Sequence, residues 1–395
     1  MKIILFAPIY SRSGYGDHSR EVVSYLLSDD DIDLNIAPVS WGKNSDSYYT
    51  HESELIRKIN DKVITTINDK QYDVCITIGM PTEFKHIGEY NIGITAGVET
   101  TRVSKEFIYH SNKMDLLIVP SNFTRNIFEN TKYIDDSQNE LSLTCEIQVV
   151  PEYASSLFYK KKKDLNENIL KNIKEDFCFL SVGQWISSDT DDGGRKNFAS
   201  LIDTFVNAFK KYDNKPALIL KTNGCNYSVT DKIKVEKKIR TILELHDESD
   251  RPSVYLLHGD LNEHQMYDLY NNPKVKCFVS HTKGEGFGRP MLEAGLSELP
   301  IICPKFSGYL DFLNDDNSTL INGKLLDVGV TNSIFCENAK WIHVDEEKSK
   351  NAMIEVYENH KVYKEKIKNH TPSLLNNFSI QTSHKKYNDI FTKLK

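Results

Sequence analysis

Short, continuous apolar runs alternate with longer amphipathic segments along most of the chain, and this alternation limits the possible folds more than any other feature. The runs at 2–8, 74–78 and 116–119 have the length of strands and carry few polar residues. Such strands are typical of a parallel sheet that is buried on both faces. The amphipathic segments between such runs, for example 17–27, 52–67 and 197–211, have the length of helices. The sequence therefore predicts an α/β fold with doubly wound parallel sheets.

The alternation is interrupted in the polar, lysine-rich segment 152–168. Because 395 residues exceed the usual size of one domain, we interpret this segment as a linker. It separates an N-terminal domain, 1–155, from a C-terminal domain, 165–375, and both are expected to be Rossmann-like. The segment 379–395 predicts a last helix that is a candidate to pack back on the first domain. The two domains are expected to face each other across a cleft, where loops that follow strands bind ligands.

Charge and cysteine content exclude several classes of function. The net charge of −7 argues against a protein that coats nucleic acid with a basic surface, but it does not exclude a nucleic-acid acceptor. The seven cysteines include no pair at CxxC spacing, so neither a disulfide framework nor a zinc site is indicated. No run approaches the roughly 18 apolar residues of a membrane span, and the first residues do not resemble a secretory signal. We therefore expect a cytoplasmic protein without an integral membrane segment.

The segment 280–293 combines glycines, acids and a helix start. A strand is expected to end at Ser280, three glycines follow, and Pro290 is placed to be the first helical residue, with Glu293 in the first turn. Glycine lets the backbone approach a ligand closely, and the N–H groups of a helix start attract phosphate. The carboxylates of Glu285 and Glu293 can accept hydrogen bonds from the vicinal hydroxyls of a ribose or a hexose. The pattern predicts a cradle for the diphosphate of a sugar nucleotide; a glycine-rich turn with two ordinary surface glutamates is the alternative.

The same segment resembles glycosyltransferase family 4 and its GT-B relatives, whose motif has two glutamates separated by seven residues within a Gly-Phe-Gly-x-Pro-x-x-Glu-Ala frame. The resemblance covers nearly the whole chain in architecture and is specific mainly from 180 to 312. It implies the GT-B fold of two Rossmann-like domains, ribose binding by Glu293, and contact of Glu285 with hydroxyls of the transferred sugar. It also implies that the sugar and the diphosphate contact the backbone of the stretch that follows Glu285: Gly286, Phe287, Gly288, Arg289, Pro290 and Met291.

A second element lies in the polar loop 183–197, where the family supplies an arginine and a lysine that neutralise the diphosphate leaving group. Arg195 and Lys196 match these positions. Two cations beside a departing diphosphate stabilise charge that develops in the transition state, so we expect that no metal is required. Asp189-Thr-Asp191 resembles the metal-binding motif of the other major glycosyltransferase fold, but it stands in a loop of different architecture.

Four further positions follow strands of the second half. Lys221 and Thr222 come after an apolar run and are candidates to reach the diphosphate or the sugar. His258 and Gly259 stand where relatives hold the nucleobase. Each of these positions is equally consistent with a structural role.

The first half contributes candidates that contact the diphosphate or the acceptor. Gly14 and Gly16 lie where the first strand turns into the first helix. A dinucleotide site is a weaker interpretation of these glycines, because no acidic residue follows the second strand. Glu99 occupies the place of a histidine that many family members have near the transferred sugar. Together with Tyr15 it is a candidate acceptor contact.

The sequence therefore predicts a retaining glycosyltransferase that uses a nucleoside diphosphate sugar as its donor and requires no cofactor, with retention implied by the family resemblance. The acceptor stays open between a growing glycan or lipid-linked saccharide, a protein, and a hydroxymethylated base in DNA. The sugar, the nucleobase and the oligomeric state also stay open. The alternatives are a GT-B epimerase that acts on a nucleotide sugar without an acceptor, and a sugar-nucleotide-binding protein without catalysis.

Overall fold

The structure, a computed structural model, describes residues 1–42, 44–50, 53–67, 72–97, 99–134, 138–160, 165, 169–186, 194–329 and 334–395. The chain divides into two compact units and passes between them several times. The first unit contains Met1–Tyr153, Asp327–Trp341 and Gln381–Lys395, and the second contains Ala154–Leu326 and Ile342–Ile380. Each unit is built on a six-stranded parallel sheet.

The sheet of the first unit forms from apolar runs that are buried on both faces. In the strand that begins at Tyr72, all residues from Val74 to Ile78 are buried. The strands are β1 (Lys2–Ala7), β2 (Asp33–Pro38), β3 (Tyr72–Ile78), β4 (Gly88–Ile94), β5 (Leu116–Val119), the short antiparallel pair β6 (Tyr133–Ile134) and β7 (Glu140–Leu141), and β8 (Glu146–Val149). Their order in the main sheet is β2-β1-β3-β4-β5-β8.

Each of the four helices described before residue 150 begins after a serine. The Oγ atoms of Ser13, Ser53, Ser104 and Ser121 accept a hydrogen bond from the amide three residues ahead. This bond satisfies a donor that the helix itself leaves without a partner. The helices are α1 (Gly14–Leu26), α2 (Glu54–Asn60), α3 (Lys105–Ser111) and α4 (Asn122–Asn130).

Two helix boundaries differ from the predicted ones. A helix was expected to begin at residue 17, but α1 begins at Gly14 because the side chain of Ser13 caps it. A helix was expected to reach residue 67, but α2 ends at Asn60, and Val63 forms an isolated bridge with Ile36 of β2. Both differences arise from contacts that periodicity does not report.

The second unit repeats the plan of the first. Its strands are β9 (Cys178–Val182), β10 (Ala217–Lys221), β11 (Val254–Leu257), β12 (Val275–Val279), β13 (Ile301–Pro304) and β14 (Thr319–Ile321), in the order β11-β10-β9-β12-β13-β14. A separate two-stranded sheet contains β15 (Gly323–Asp327) and β16 (Lys340–Val344). Its helices are α5 (Phe198–Phe209), α6 (Val229–Leu243), α7 (Glu263–Asn271), α8 (Arg289–Leu296), α9 (Glu346–Glu358) and α10 (His360–Asn377), and α11 (Ile380–Phe391) follows them in the chain.

Helices cover both faces of the second sheet. Phe179 of β9 packs against Phe205 and Phe209 of α5, whereas Cys178 and Leu180 belong to the core on the other face. This two-sided burial explains why the strand is apolar throughout. None of the helices among the described residues combines the length and the apolar character that crossing a membrane requires.

The last helix, α11, belongs almost entirely to the first unit. Tyr387 and Phe391 pack against Tyr25 of α1, with ring centroids 5.4 and 5.6 Å apart. All three side chains are buried. The core of the first unit therefore contains residues of both its first helix, α1, and the last helix, α11.

Each main sheet has a point where the chain order reverses. In the first unit β1 lies between β2 and β3, and in the second unit β9 lies between β10 and β12. At such a point the loops after the strands leave in opposite directions and form a crevice in which α/β proteins bind ligands. In the second unit this point carries the segments that follow β9 and β12, of which the structure describes 183–186, 194–197 and 280–288.

Candidate active site

The glycine-rich loop ends in a helix start that requires an unusual backbone conformation. Gly288 has a φ of +99° and is the N-cap of α8, so the helix begins at Arg289. Pro290 is therefore the second helical residue rather than the first, and Glu293 lies in the second turn rather than in the first turn as predicted. A side chain at position 288 would collide with Tyr309, whose Cβ lies 2.9 Å from the position of the added Cβ. Glycine satisfies both restrictions.

The backbone of this loop offers hydrogen-bond donors to a ligand. Among the described residues, the amides of Phe287 and Gly288 have no acceptor. The amide of Met291 donates to the carbonyl of Gly288 at 3.0 Å, and Pro290 has no N–H. The ring of Phe287 packs against Phe312 in the core, so this residue presents its backbone and not its side chain.

The structure brings Arg195, Lys196 and Glu285 into contact although the acid lies 90 and 89 positions away. Nη1 of Arg195 lies 2.9 Å from Oε2 of Glu285, and Nζ of Lys196 lies 2.5 Å from Oε1. The side chain of Glu285 is 9% exposed, against 30% for Arg195 and 13% for Lys196. The carboxylate is thus buried beneath two cations that still reach the surface.

Strand pairing explains this contact. β9 and β12 are parallel neighbours, so the loops that follow them leave the sheet at the same edge. The amide of Lys283 donates to the carbonyl of Arg195 at 2.8 Å, and Nη1 of Arg195 donates to the carbonyl of Gly284 at 2.7 Å. Hydrogen bonds of both backbone and side chain therefore hold the two loops together.

Two hydroxyl residues that the sequence did not single out hold Glu285 in place. Thr282 donates to Oε1 of Glu285 at 2.7 Å, and the amide of Glu285 donates to Oγ of Ser307 at 3.0 Å. Ser307 has a φ of +89°, a region that is sparsely populated by residues with a Cβ. The dipeptide Ser307-Gly308 after β13 indicates a turn, but a turn signal does not identify the group that the turn faces.

The ionisation of Glu285 follows from these neighbours. Burial raises the pKa of its carboxyl, but the charges of Lys196 and Arg195 and the hydrogen bonds from Lys196 and Thr282 outweigh burial and lower the pKa to about 2. The carboxylate is therefore ionised at neutral pH. One anion and two cations leave the group with a positive charge, which favours an anionic ligand.

A family comparison agrees with this geometry. The family model described as glycosyl transferases group 1 matches residues 201–362, a range that includes Glu285 and Glu293. Residues 201–362 are a group 1 glycosyltransferase domain. The match spans 162 of the 395 residues, and Arg195 and Lys196 stand just before it. No curated protein matches the chain significantly.

Solved structures share the fold of the whole chain. Anabaena HepE in complex with UDP is 12% identical, with a TM-score of 0.66 and full coverage of both chains, 100% and 100%. Sucrose-phosphate synthase from Thermosynechococcus elongatus is 12% identical, with a TM-score of 0.65 over 100% of this chain and 99% of that one. A variant of S. aureus TarM, in complex with fondaparinux, alpha-GlcNAc-glycerol and UDP, is 17% identical, with a TM-score of 0.54 over 82% of this chain. The chain spans 56% of the length of TarM and of the pneumococcal O-GlcNAc transferase GtfA. The predicted GT-B fold is confirmed.

Within the group 1 domain, the loops after β10 and β11 lie together. Nζ of Lys221 donates to the carbonyl of Gly259 at 2.8 Å, and this lysine is 8% exposed. Thr222 is fully buried, and its hydroxyl lies 3.4 Å from the carbonyl oxygen of Asn223. Gly259 has a φ of +122°, and no heavy atom lies within 4 Å of the place where a Cβ would stand. The space beside Gly259 is therefore open.

Asp231, which the sequence did not single out, connects the same two loops of the group 1 domain. Its carboxylate accepts from the amides of Gly224 and Cys225 at 2.8 and 3.1 Å, and Nε2 of His258 lies 2.9 Å from Oδ2. Burial raises the pKa of Asp231, but the bond with His258 and the two amide bonds outweigh burial and lower it. Acids are common in the first turn of a helix because they interact favourably with the helix dipole. The sequence therefore does not show that Asp231 also holds two loops together.

Glu293, the second acid of the motif, is half-buried on α8. It faces Tyr270 of α7, since burial and then the charge of Glu293 raise the pKa of that tyrosine. Asp189 and Asp191 lie outside the described residues. The described part of the chain contains no group of three or more His, Cys, Asp or Glu side chains placed to hold a metal ion.

The first unit holds the remaining candidates. α1 begins at Gly14, and a Cβ at Gly16 would stand 2.0 Å from the carbonyl oxygen of Ser11, so the close approach of these segments requires glycine. Burial and, to a smaller extent, the charge of Glu99 raise the pKa of Tyr15. The segment that carries Glu99 also approaches Tyr15 directly, since a Cβ added at Gly97 would stand 2.5 Å from the Tyr15 hydroxyl.

The stability of the group 1 domain should depend on the ionisation of Glu285. The carboxyl has a pKa of about 2 in the folded chain, below its ordinary value of 4.5, so the carboxylate stabilises the fold above pH 4.5 and this contribution is lost as the pH falls toward 2. We expect Glu285→Gln to lower the Tm at pH 7, and the difference from the wild type to shrink across that range.

Thermal unfolding followed by circular dichroism between pH 7 and pH 2.5 measures this difference. Glu347→Gln is the control, because Glu347 is 77% exposed and its ion pair with Lys350 contributes little to stability. A Tm difference for Glu285→Gln that stays constant or grows as the solution is acidified would contradict the ionised, doubly paired state.

Proposed function

We propose that the whole chain transfers a glycosyl group from a nucleoside diphosphate sugar to an acceptor hydroxyl, with retention of configuration. The observation that supports this most is the contact of Arg195 and Lys196 with Glu285 at the reversal point of the second sheet. A diphosphate is bound by cations and amide donors, and a sugar is bound by a carboxylate that accepts from its hydroxyls. All three kinds of group occur in one pair of loops, since the amides of Phe287 and Gly288 follow Glu285 closely.

Glu285 has two roles in this proposal. In the free chain its carboxylate forms ion pairs with Arg195 and Lys196. Oxygens of the donor diphosphate then take its place beside the cations, and the carboxylate accepts hydrogen bonds from hydroxyls of the transferred sugar. The cations are thus paired with an anion in both states, and the carboxylate has hydrogen-bond donors in both states, which avoids the cost of an uncompensated buried charge.

The other donor contacts are distributed over the loops after the strands of the second unit. We assign the ribose hydroxyls to Glu293, the sugar and the diphosphate to the backbone between Gly286 and Met291 and to Lys221 and Thr222, and the nucleobase to His258 and Gly259. Residues 165–375 form the donor domain in this proposal. Residues 1–155, together with the helix in 379–395, form the acceptor domain, with Gly14 and Gly16 near the diphosphate or the acceptor and Tyr15 and Glu99 near the acceptor.

The proposed reaction occurs on one face of the sugar. The bond between the anomeric carbon and the diphosphate oxygen breaks while the acceptor oxygen forms its bond on the same face, and the acceptor proton moves to the leaving diphosphate. Arg195 and Lys196 stabilise the charge that grows on the leaving group, a contribution that is typically worth a few kcal/mol (~3). The reaction then needs neither a metal nor another cofactor, and we place it in the cytoplasm.

A screen of nucleotides tests the proposal. HepE and TarM were solved with UDP, so UDP is the first nucleotide to test, followed by GDP, ADP and the corresponding sugars. We expect one nucleotide to raise the Tm. The nucleotide sugar that contains it should release this nucleotide when an acceptor is present. An epimerase would convert the donor without any acceptor, and a binding protein would bind the donor without releasing nucleotide. Failure of every nucleotide to raise the Tm at millimolar concentration would overturn the proposal.

A further inference from the structure

The carboxyl edge of the first sheet carries aromatic and acidic side chains that the donor site does not use. Trp41 follows β2, Tyr15 follows β1, Glu83 follows β3 and Glu99 follows β4. These four strands are parallel neighbours in the order β2-β1-β3-β4, so the loops after them leave the sheet side by side. The reversal point of this sheet, between β1 and β3, lies in the middle of the group.

Tyr15 and Trp41 form a stacked pair. Their ring centroids are 4.0 Å apart, with an angle of 30° between the ring planes. The hydroxyl of Tyr15 shares a hydrogen bond of 2.9 Å with Oγ1 of Thr95 and accepts from the amide of Ala96 at 3.1 Å. Tyr15 is thus anchored at its polar end, and Trp41, which is partly exposed, stacks on this anchored ring.

Glycines next to this pair in the sequence leave room around it. No heavy atom lies within 4 Å of the place where a Cβ would stand at Gly14 or Gly42, and both glycines are exposed. At Gly79 an added Cβ would stand 2.9 Å from Oε2 of Glu83 and 3.7 Å from the Trp41 ring. The carboxylate of Glu83 therefore lies beside the edge of the Trp41 ring with only the Gly79 position between them.

The chemistry of this group selects among ligands. A flat aromatic ring packs against the C–H face of a sugar, and neighbouring carboxylates accept hydrogen bonds from the hydroxyls at the rim of the sugar. Glu83 is exposed and lies beside the Trp41 ring, and Glu99 is half-buried and follows Gly97, where an added Cβ would stand 2.5 Å from the hydroxyl of Tyr15. Arg12, which precedes the N-cap of α1, lies over the ring of Tyr48 with its guanidinium carbon 4.5 Å from the centroid. A phosphate-rich ligand such as DNA would meet repulsion from the carboxylates, whereas an uncharged sugar would not.

We propose that Trp41, Tyr15, Glu83 and Glu99 form an acceptor subsite for an uncharged sugar ring, so that the acceptor is a saccharide. The sugar lies on the Trp41 ring, and its hydroxyls donate to Glu83 and Glu99. As a statement about the acceptor this inference rests on the proposed glycosyl transfer, but the binding of a sugar at this place is measurable without any donor.

Saccharide binding is measured by saturation-transfer NMR on the full chain, with maltose, cellobiose and N-acetylglucosamine as probes. We expect ring-proton signals from at least one probe, and about 10-fold weaker binding for Trp41→Ala. Trp41→Phe keeps a flat ring, so it should weaken saccharide binding only about 3-fold. Tyr109→Ala is the control, since Tyr109 is an aromatic residue of the same unit that is 54% exposed and lies on α3. This control should bind like the wild type.

A second readout uses catalysis. With the nucleotide sugar found by the screen, Trp41→Phe and Glu99→Gln should raise the KM for the saccharide acceptor by about 3-fold with a smaller change in kcat. Glu99→Gln also keeps the proposal testable if Trp41→Ala does not fold, because it changes one charge and leaves the aromatic pair intact.

Three results would overturn the subsite. Saccharide signals of equal strength in the wild type and in both Trp41 variants would place any bound sugar elsewhere. An unchanged acceptor KM in Trp41→Phe and Glu99→Gln would do the same. Transfer to a duplex with 5-hydroxymethylcytosine or to a serine-rich peptide, with none to saccharides, would assign the acceptor to another class. If no nucleotide binds, the proposed transfer fails, while the NMR comparison of Trp41 variants still decides whether the sugar site exists.

Discussion

Replacing both Arg195 and Lys196 by alanine is expected to lower kcat for glycosyl transfer by about 10³-fold or more. The removal of one donor that stabilises developing negative charge typically costs about 10²–10³-fold, and the double variant removes both cations that contact Glu285. Nucleotide release from the donor sugar, measured with and without acceptor, gives the rate.

A stability effect must be separated from this loss. Without its two cations, Glu285 is a buried carboxylate, and an unpaired buried charge is strongly destabilising. We therefore expect a lower Tm for the double variant, and recovery of the Tm, but not of turnover, when Glu285→Gln is added. Lys210→Ala with Lys211→Ala removes the same charge from the end of α5 and should leave turnover unchanged. Turnover of the double variant within 10-fold of the wild type would refute the roles of Arg195 and Lys196.

Gly288→Ala is expected to destabilise the chain by about 1–3 kcal/mol and to weaken donor binding. Position 288 has a φ of +99°, and a Cβ there would stand 2.9 Å from Cβ and 3.0 Å from Cδ1 of Tyr309. Tyr309 is fully buried and donates to the carbonyl of Pro304 at 2.8 Å, so it cannot move aside without loss of this bond. Urea unfolding measures the stability, and the thermal shift with the nucleotide measures the binding.

Gly14→Ala is the matched control for stability, because it also adds a methyl group at a helix start. Gly14 is the first residue of α1, its φ is not positive, and no heavy atom lies within 4 Å of the added Cβ. We expect its free energy of unfolding to stay the same or to rise slightly. Equal stability of Gly288→Ala and Gly14→Ala would mean that the left-handed conformation at the start of α8 is not a strict requirement.

The contact between Arg195, Lys196 and Glu285 depends on the order of strands in the second sheet. The local sequence pattern does not predict this order. The basic pair and the acid were each found from their own loops, but their pairing follows from β12 lying next to β9 rather than next to β11. Ser307 and Asp231 were not found at all. Their polar groups hold Glu285 and the loops of the group 1 domain, yet in the sequence they resemble an ordinary turn residue and an ordinary first-turn acid.

Helix starts show the same limit on a smaller scale. The start of α1 moved to Gly14 because the side chain of Ser13 caps it, and the start of α8 moved to Arg289 because Gly288 adopts a positive φ. The general preference of proline for the first helical position predicted Pro290 as the first residue of α8. The cap geometry depends on neighbours such as Tyr309, which lies 21 positions further along the chain than Gly288.

Two features of this protein follow from the amino-acid sequence alone: the pair of doubly wound α/β units and the glycine-rich helix start that carries Glu285 and Glu293. Both depend on short-range physics, since burial on two faces requires unbroken apolar runs and a close backbone approach requires glycine. The assembly of the ionic cluster and of the stacked pair Tyr15–Trp41 depends on which strands are neighbours. That choice is made by packing between distant segments, because residues far apart in the chain meet only after the sheets have formed.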